Sequence, residues 1–309
     1  MIINIVKLLT SEKSKKDLSD KQKVISYYEE TSEDYRDWSE NYNMHFGYFE
    51  KSMGFKKMFD VESMLQNMNQ QVLSRLQLKK KQNHVLDMGS GFGATARYIT
   101  AHNRTISVTG ISLVPWQIER SKQLAENIIG GKRRMTFEVR DYEKTELESE
   151  AYDGVYALES ICHGAGKDKQ KVIQEMYRVC KKGGSIVIAD GFIKSQKKSP
   201  VFEWIYRQVC DGWAVKEFAH IEPLIEALTK QGFNHIKVNE VFNNIAPSAA
   251  AIPIVVAKYC FKRVVFSKRF YQDASLRKQR LKHLKASFLS MFLGLCKKNF
   301  GYYMISAEK

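Results

Sequence analysis

The feature that most constrains this chain is a glycine loop, Asp87-Met88-Gly89-Ser90-Gly91-Phe92-Gly93. It lies directly behind a short apolar run at 84–88 and ahead of a helical pattern at 94–101. Glycines at alternate positions let the backbone turn tightly and come close to a ligand. The helix that follows offers free N–H groups at its start. Strand, glycine turn and helix in that order form the first unit of a parallel α/β sheet, whose ligands sit at the carboxyl ends of the strands. The spacing is Gly-x-Gly-x-Gly, which departs from the Gly-x-Gly-x-x-Gly dinucleotide fingerprint at the third glycine. An acid, Asp87, stands two residues before the first glycine, and it suits a cationic group on a ligand better than a pyrophosphate.

The rhythm continues downstream. Strands are expected at 107–112, 135–139, 152–158 and 185–190, with helices at 115–127 and 168–179 and a Gly183-Gly184 turn before the fifth strand. This alternation predicts a parallel, doubly wound sheet. Past residue 190 the pattern breaks into an aromatic-rich, irregular stretch to 220. A helix at 223–231 and strands at 236–241 and 302–307 follow, the two strands closing the sheet as a hairpin. The 60 residues from 242 to 301 exceed any ordinary hairpin loop and read as a helical cap. The expected division is therefore an arm and helical lid at 1–80, a seven-stranded Rossmann-like α/β domain at 81–241 with 301–309, and a cap at 242–300.

Composition matters mainly through charge. The chain has 309 residues, 44% hydrophobic and 27% charged, an ordinary globular mix. Its formal charge is +15, and residues 258–298 hold 12 Lys or Arg against one acid, Asp273, so 12 − 1 = +11 resides there. Such a segment predicts an anionic partner: a charged substrate, a membrane surface or nucleic acid. The five cysteines form no Cys-x-x-Cys pair and read as reduced thiols, and no metal-ligand cluster is expected. With no signal-peptide pattern and no long apolar run, the expected location is the cytoplasm, with peripheral membrane contact through 258–298 as one use of the charge.

The glycine loop with its preceding acid resembles motif I of the class I S-adenosylmethionine-dependent methyltransferases. The elements after it arrive at that family's usual offsets over 24–240 and the final strand. The resemblance implies S-adenosylmethionine as cofactor, held by Asp87, Gly89, Ser90, Gly91 and Gly93. The second strand ends Gly110-Ile111-Ser112-Leu113, without the carboxylate that many members place on the ribose hydroxyls. With Gln117 following, this stretch is similar to the subset of sterol, tocopherol and prenyl diphosphate C-methyltransferases and cyclopropane fatty-acid synthases. In that subset Ser112 and Gln117 would take over ribose and backbone contacts. Asp141 would accept from the adenine amino group, with Tyr142 assisting. The segment 43–50 resembles the cofactor lid of the same subset, which places His45 at the cofactor and Tyr48 at the substrate. A plain aromatic core is the competing reading of that segment.

The end of the fourth strand reads Ala157-Leu158-Glu159-Ser160-Ile161-Cys162-His163-Gly164. Glu159 and His163 would stand beside a methyl donor held by the first three strands, and two titratable groups in an apolar cleft can be tuned apart. Carbon methylation needs this: a cation develops, and a carboxylate stabilises it and takes a proton. The stretch resembles the Glu-x-x-Cys-His segment of sterol methyltransferases; the alternative is that Glu159 caps a helix and His163 is structural. Trp204 and Trp213 are expected to line an apolar substrate pocket. The leading functional reading is methylation of carbon in an isoprenoid or lipid-like substrate, hydrophobic or anionic, a prenyl diphosphate among them. The second is N- or O-methylation of a small polar metabolite. Nucleic acid ranks third, because neither an Asn/Asp-Pro-Pro-Tyr loop nor a Pro-Cys nucleophile is present.

Overall fold

A computed structural model describes residues 19–128, 130–194, 199–266 and 274–309. Most of the expected N-terminal arm, and 267–273 of the basic segment, lie outside them. The chain begins with helix α1 (Asp20–Thr31), capped by Ser19 and Gln22 in a reciprocal capping box. Three 3₁₀ turns follow, Ser32–Asp37, Lys51–Met53 and Phe55–Phe59. Next come α2 (Val61–Arg75), β1 (Asn83–Met88), α3 (Ala94–His102), β2 (Ile106–Ser112), α4 (Pro115–Glu126), the single turn α5 (Gly131–Arg134), β3 (Met135–Val139), β4 (Tyr152–Leu158), α6 (Gln170–Val179) and β5 (Cys180–Ile193). The rest is α7 (Pro200–Gly212), β6 (Ala219–His220), α8 (Ile221–Gln231), β7 (Asn234–Glu240), α9 (Phe242–Ala250), α10 (Ile252–Phe266), α11 (Ala274–Leu295) and β8 (Phe300–Glu308).

The strands form one Rossmann-like sheet in the order β3-β2-β1-β4-β5-β8-β7, with the two-residue β6 paired to β5. Pairing is parallel from β3 to β5 and antiparallel where β8 slots between β5 and β7. The strand order reverses between β1 and β4, so the crevice at their carboxyl ends is where such a sheet receives its ligand. One face of the sheet is covered by α6 and α8 through Val172, Ile173, Met176, Leu224 and Leu228. The other is covered by α2, α3 and α4 through Met68, Val72, Ala96, Ile99 and Ile118. A third cluster joins α7 to α11, where Phe202, Ile205 and Val209 meet Phe218 and Leu293.

The expected strands and most helices stand close to their read positions, and the 236–241 and 302–307 segments do close the sheet. Two local readings are corrected. The helix expected over 55–76 starts at Val61, because the Asp60 side chain accepts from the Ser63 N–H and so sets the N-cap there. The stretch expected to be irregular, 191–220, contains α7. Its signals were in the sequence: a Ser199 cap, Pro200 in the first turn, and Phe202, Ile205, Tyr206 and Val209 at helical spacing.

One glycine of the loop is fixed by the sheet itself. Gly93 has φ +68°, and a Cβ there would come within 2.5 Å of the Phe137 ring on β3. Gly93→Ala combines left-handed strain with overpacking and should lower stability by about 2–4 kcal/mol. Urea denaturation of the two proteins checks this.

Candidate active site

The floor of the crevice is built where β1 meets β4. The Ser160 hydroxyl donates to the Met88 carbonyl at 2.5 Å. Gly89, at φ +93°, passes so close that a Cβ would lie 2.4 Å from the Ser160 Cβ, so this approach requires glycine at 89. Asp87 is buried, accepts the Tyr156 hydroxyl at 2.7 Å, and has its carboxyl pushed up to about 7 by burial. A buried carboxyl held that high favours a cation brought beside it.

A small cleft over this floor is lined by Asp87, Gly89, Ser90, Gly91, Ser112, Gln117 and Tyr142, among others. Ser112 and Gln117 are both buried: the serine hydroxyl donates to Gln117 Oε1 at 2.8 Å, and the Gln117 amide donates to the Ser32 hydroxyl at 3.2 Å. Gln117 thus ties β2 to the segment behind α1. Tyr142 is buried and donates its hydroxyl to the Ser160 carbonyl at 2.8 Å. Gly93 closes the loop beneath. Asp141 stands beside the cleft without lining it; its carboxylate takes Lys21 of α1 and the Glu143 N–H, and Lys21 also reaches Glu143 at 2.7 Å. An acid for an ammonium group, glycines that admit a close approach, and apolar Leu113, Val114 and Leu158 for a ring form a donor set that fits S-adenosylmethionine.

A second, larger cavity of about 490 Å³ adjoins the cleft. Tyr28, Met44, His45, Glu159 and His163 line both, so the two spaces meet at these side chains. Glu159 sits at φ +48° immediately after β4, and its Oε1 accepts the Phe46 N–H at 2.8 Å and the Tyr302 hydroxyl at 2.7 Å. Burial pushes its carboxyl up to about 8, against the pull of those two donors. Asp190, at the matching position on β5, is raised by burial to about 6 and accepts the N–H groups of Cys162 and Gly191. His163 pairs through Nε2 with the Tyr28 hydroxyl at 2.9 Å, and burial lowers it to about 4, so it is neutral near pH 7. His45, also lowered to about 4 by burial, is held by the Phe46 carbonyl and by Asn43 and Asn69.

The remaining walls are apolar. Trp38, Phe46, Phe218, Phe242, Val255, Tyr259, Met291 and Phe300 are among them, and Trp213 lines the cavity too. Two sequence expectations fall elsewhere. Tyr48 packs in the core against α2 and lines neither space, and it is Phe46 that lines the cavity and faces Tyr302. Trp204 lies on the outer surface of α7, 53% exposed, with Lys285 over its ring. Among the described residues no Lys or Arg lines the cavity, whereas Asp34, Asp37, Glu159 and Asp190 do. Arg280 faces Asp34 and Lys282 pairs with Asp211. The reading of the sequence did not pick out Tyr302, Tyr28 or Asp190. Asp190 carried a signal, an acid at the carboxyl end of a strand next to β4, while Tyr302 reaches Glu159 across 143 residues of chain.

Residues 85–184 match a family described as the methyltransferase domain. A 2-methyl-6-phytyl-1,4-hydroquinone methyltransferase from Synechocystis sp. is 32% identical over 151 residues, which cover 48% of this chain and 45% of that protein. An O-methyltransferase from Pyrenophora dematioidea is 28% identical over 66% of this chain and 73% of the other. The solved cyclopropane synthase MmaA2 from Mycobacterium tuberculosis shares the fold, with a TM-score of 0.75 over 95% of this chain and all of that one, at 14% identity. Residues 85–184 thus form a methyltransferase domain within a Rossmann-like fold shared with these proteins, and the residues of the cleft fit S-adenosylmethionine as its cofactor.

Two measurements follow from the buried carboxyls. Asp87→Ala should weaken S-adenosylmethionine binding by roughly a hundredfold or more, the loss of a buried charge-assisted contact. Binding to the parent protein below about pH 7 should release a proton as Asp87 ionises, read as a buffer-dependent calorimetric enthalpy. Glu159 is raised on folding from 4.5 to about 8, so it holds its proton in the native state where the unfolded chain has lost it. That contribution is complete below about pH 4.5 and is lost as pH rises towards 8. Glu159→Gln, neutral throughout, should therefore gain stability over the parent progressively between pH 5 and pH 8 in urea denaturation.

Proposed function

We propose that this S-adenosylmethionine-dependent methyltransferase methylates carbon in a neutral isoprenoid or comparably lipid-like molecule, with Glu159 as the general base. The observation that carries the reading is the shared wall: a carboxyl lining both the cofactor cleft and a large aromatic cavity. S-adenosylmethionine, when bound, supplies an electrophilic methyl group on a sulfonium. Transfer of that methyl group to a double bond of the substrate would leave positive charge on the adjacent carbon. Phe46, Tyr28 and Tyr302 present aromatic rings to that charge, and Glu159 and Asp190 stabilise it. A neighbouring C–H proton then passes to Glu159, and its electrons restore the double bond. Both hydrogen bonds to Glu159 fall on Oε1, so Oε2 is the oxygen available for the proton.

The absence of lining Lys or Arg among the described residues favours a neutral substrate over a prenyl diphosphate. The apolar character of a cavity of about 490 Å³ favours a lipid-like molecule over a small polar metabolite. The lining acids do favour one variant of the second reading, a cationic amine. Turnover assays on neutral prenylated aromatics and sterols, prenyl diphosphates and small amines separate the three. Carbon methylation of the neutral set alone is the expected outcome, and turnover of amines alone would remove the base from the mechanism.

Glu159→Gln should lower kcat by about a thousandfold, in the middle of the range for a general base, with S-adenosylmethionine affinity within a few-fold. Full activity in this variant would exclude the role. As a base, Glu159 must be ionised, so kcat/KM should rise with pH along a limb above the ordinary carboxylate range and no higher than about 8. Tyr302→Phe removes a donor that favours the carboxylate, and should move that limb to higher pH.

A further inference from the structure

We infer that the large cavity opens onto an anionic lipid bilayer, with α10 and α11 forming a membrane-facing portal through which the substrate passes. Docking itself rests on the surface alone; the passage of substrate rests on the function proposed above.

The decisive residues are Phe292 and Leu295 on α11. Both line the cavity, yet they are 37% and 70% exposed, so they mark its mouth. The exposed surface beside them stays apolar. Phe288 packs its ring 5.6 Å from Phe292, and on α10 Ile254 and Phe261 are 62% and 65% exposed next to the lining residues Val255 and Tyr259. A folded chain rarely leaves such a cluster facing water without a partner for it. Here the cluster is continuous with the interior, so a molecule leaving a hydrocarbon phase could enter without crossing water.

Charge identifies the partner. Lys258, Lys297 and Lys298 are exposed on these helices and just beyond them, and Lys297 lies 5.2 Å over the ring of Phe242, a wall residue. Between 242 and 298 the sequence holds a single acid, Asp273. Apolar side chains with lysines beside them match an interface with anionic headgroups, whose attraction each basic residue near the surface strengthens. None of the described helices is long and apolar enough to cross a membrane, so the contact is peripheral.

Flotation of the whole protein with phosphatidylcholine vesicles, with and without about 30% phosphatidylglycerol, tests this. Binding to the anionic vesicles should be roughly tenfold or more tighter and weaken with salt. Lys258→Glu with Lys298→Glu should abolish the preference, and Ile254→Asn with Phe261→Ser should weaken binding to a similar degree. Both double variants should keep S-adenosylmethionine affinity, which reports intact folding, and turnover of detergent-dispersed acceptor, while losing turnover of acceptor embedded in vesicles. No binding to anionic vesicles, binding blind to lipid charge, or binding unchanged in both variants would overturn the inference. So would a concentration-dependent dimer that occupies this face. Flotation is read without turnover: if the vesicles bind and no carbon acceptor is methylated, the proposed reaction fails and the docking surface stands.

Discussion

Glu159 is held between the Phe46 N–H and the Tyr302 hydroxyl, and that clasp joins three segments that are remote in sequence. Phe46 belongs to the stretch between α1 and α2, Glu159 to the end of β4 and Tyr302 to β8. Burying a carboxyl is costly unless donors meet it, and here each donor comes from a part of the chain that must be in place first. The backbone at Glu159 is left-handed, a conformation that a non-glycine residue adopts only when its surroundings impose it. The Glu159 N–H is fixed to the Ala189 carbonyl at 2.7 Å, which locks the turn to β5. The strain, the burial and the high carboxyl pKa therefore have one origin: a side chain placed where the cleft meets the cavity, against its own preferences.

The Rossmann-like core was legible because it is written locally. The short apolar runs of β1 to β5, the glycines at 89, 91 and 93, and the Gly183-Gly184 turn each state their structure within a few residues. Asp87, Ser112, Gln117 and Tyr142 could be placed at the cleft because a strand end and a helix start fix them. The readings that went astray depended on how separate segments pack. Tyr48 and Phe46 are both aromatics at the same lid, and only the tertiary path, with Gly47 pressed against Met64, decides which of them meets Glu159. Trp204 and Trp213 share one helix and its C-cap, but α11 covers the side bearing Trp213 and leaves Trp204 outside.

Charge shows the same limit. The sequence localised the excess of +11 to one segment but could not say which way it points. In the fold, Arg280 and Lys282 turn towards Asp34 and Asp211, while Lys258, Lys297 and Lys298 stay on the outside. The acids take the opposite course: Glu159 and Asp190 line the cavity. These three lysines lie outside while the space behind them carries carboxyls, a separation of charge that composition alone does not contain.

Helix α1 connects these regions through two consecutive residues. Tyr28 bonds to His163 at the boundary of cleft and cavity, and Tyr27 bonds to His283 of α11 at 2.6 Å. A single helical turn is thus fastened at once to the floor of the sheet and to the helix bordering the portal. The two tyrosine rings meet edge to face with centroids 4.8 Å apart, so neither attachment can shift without disturbing the other, and the boundary between cleft and cavity inherits the position of the helix beside the cavity's exposed edge.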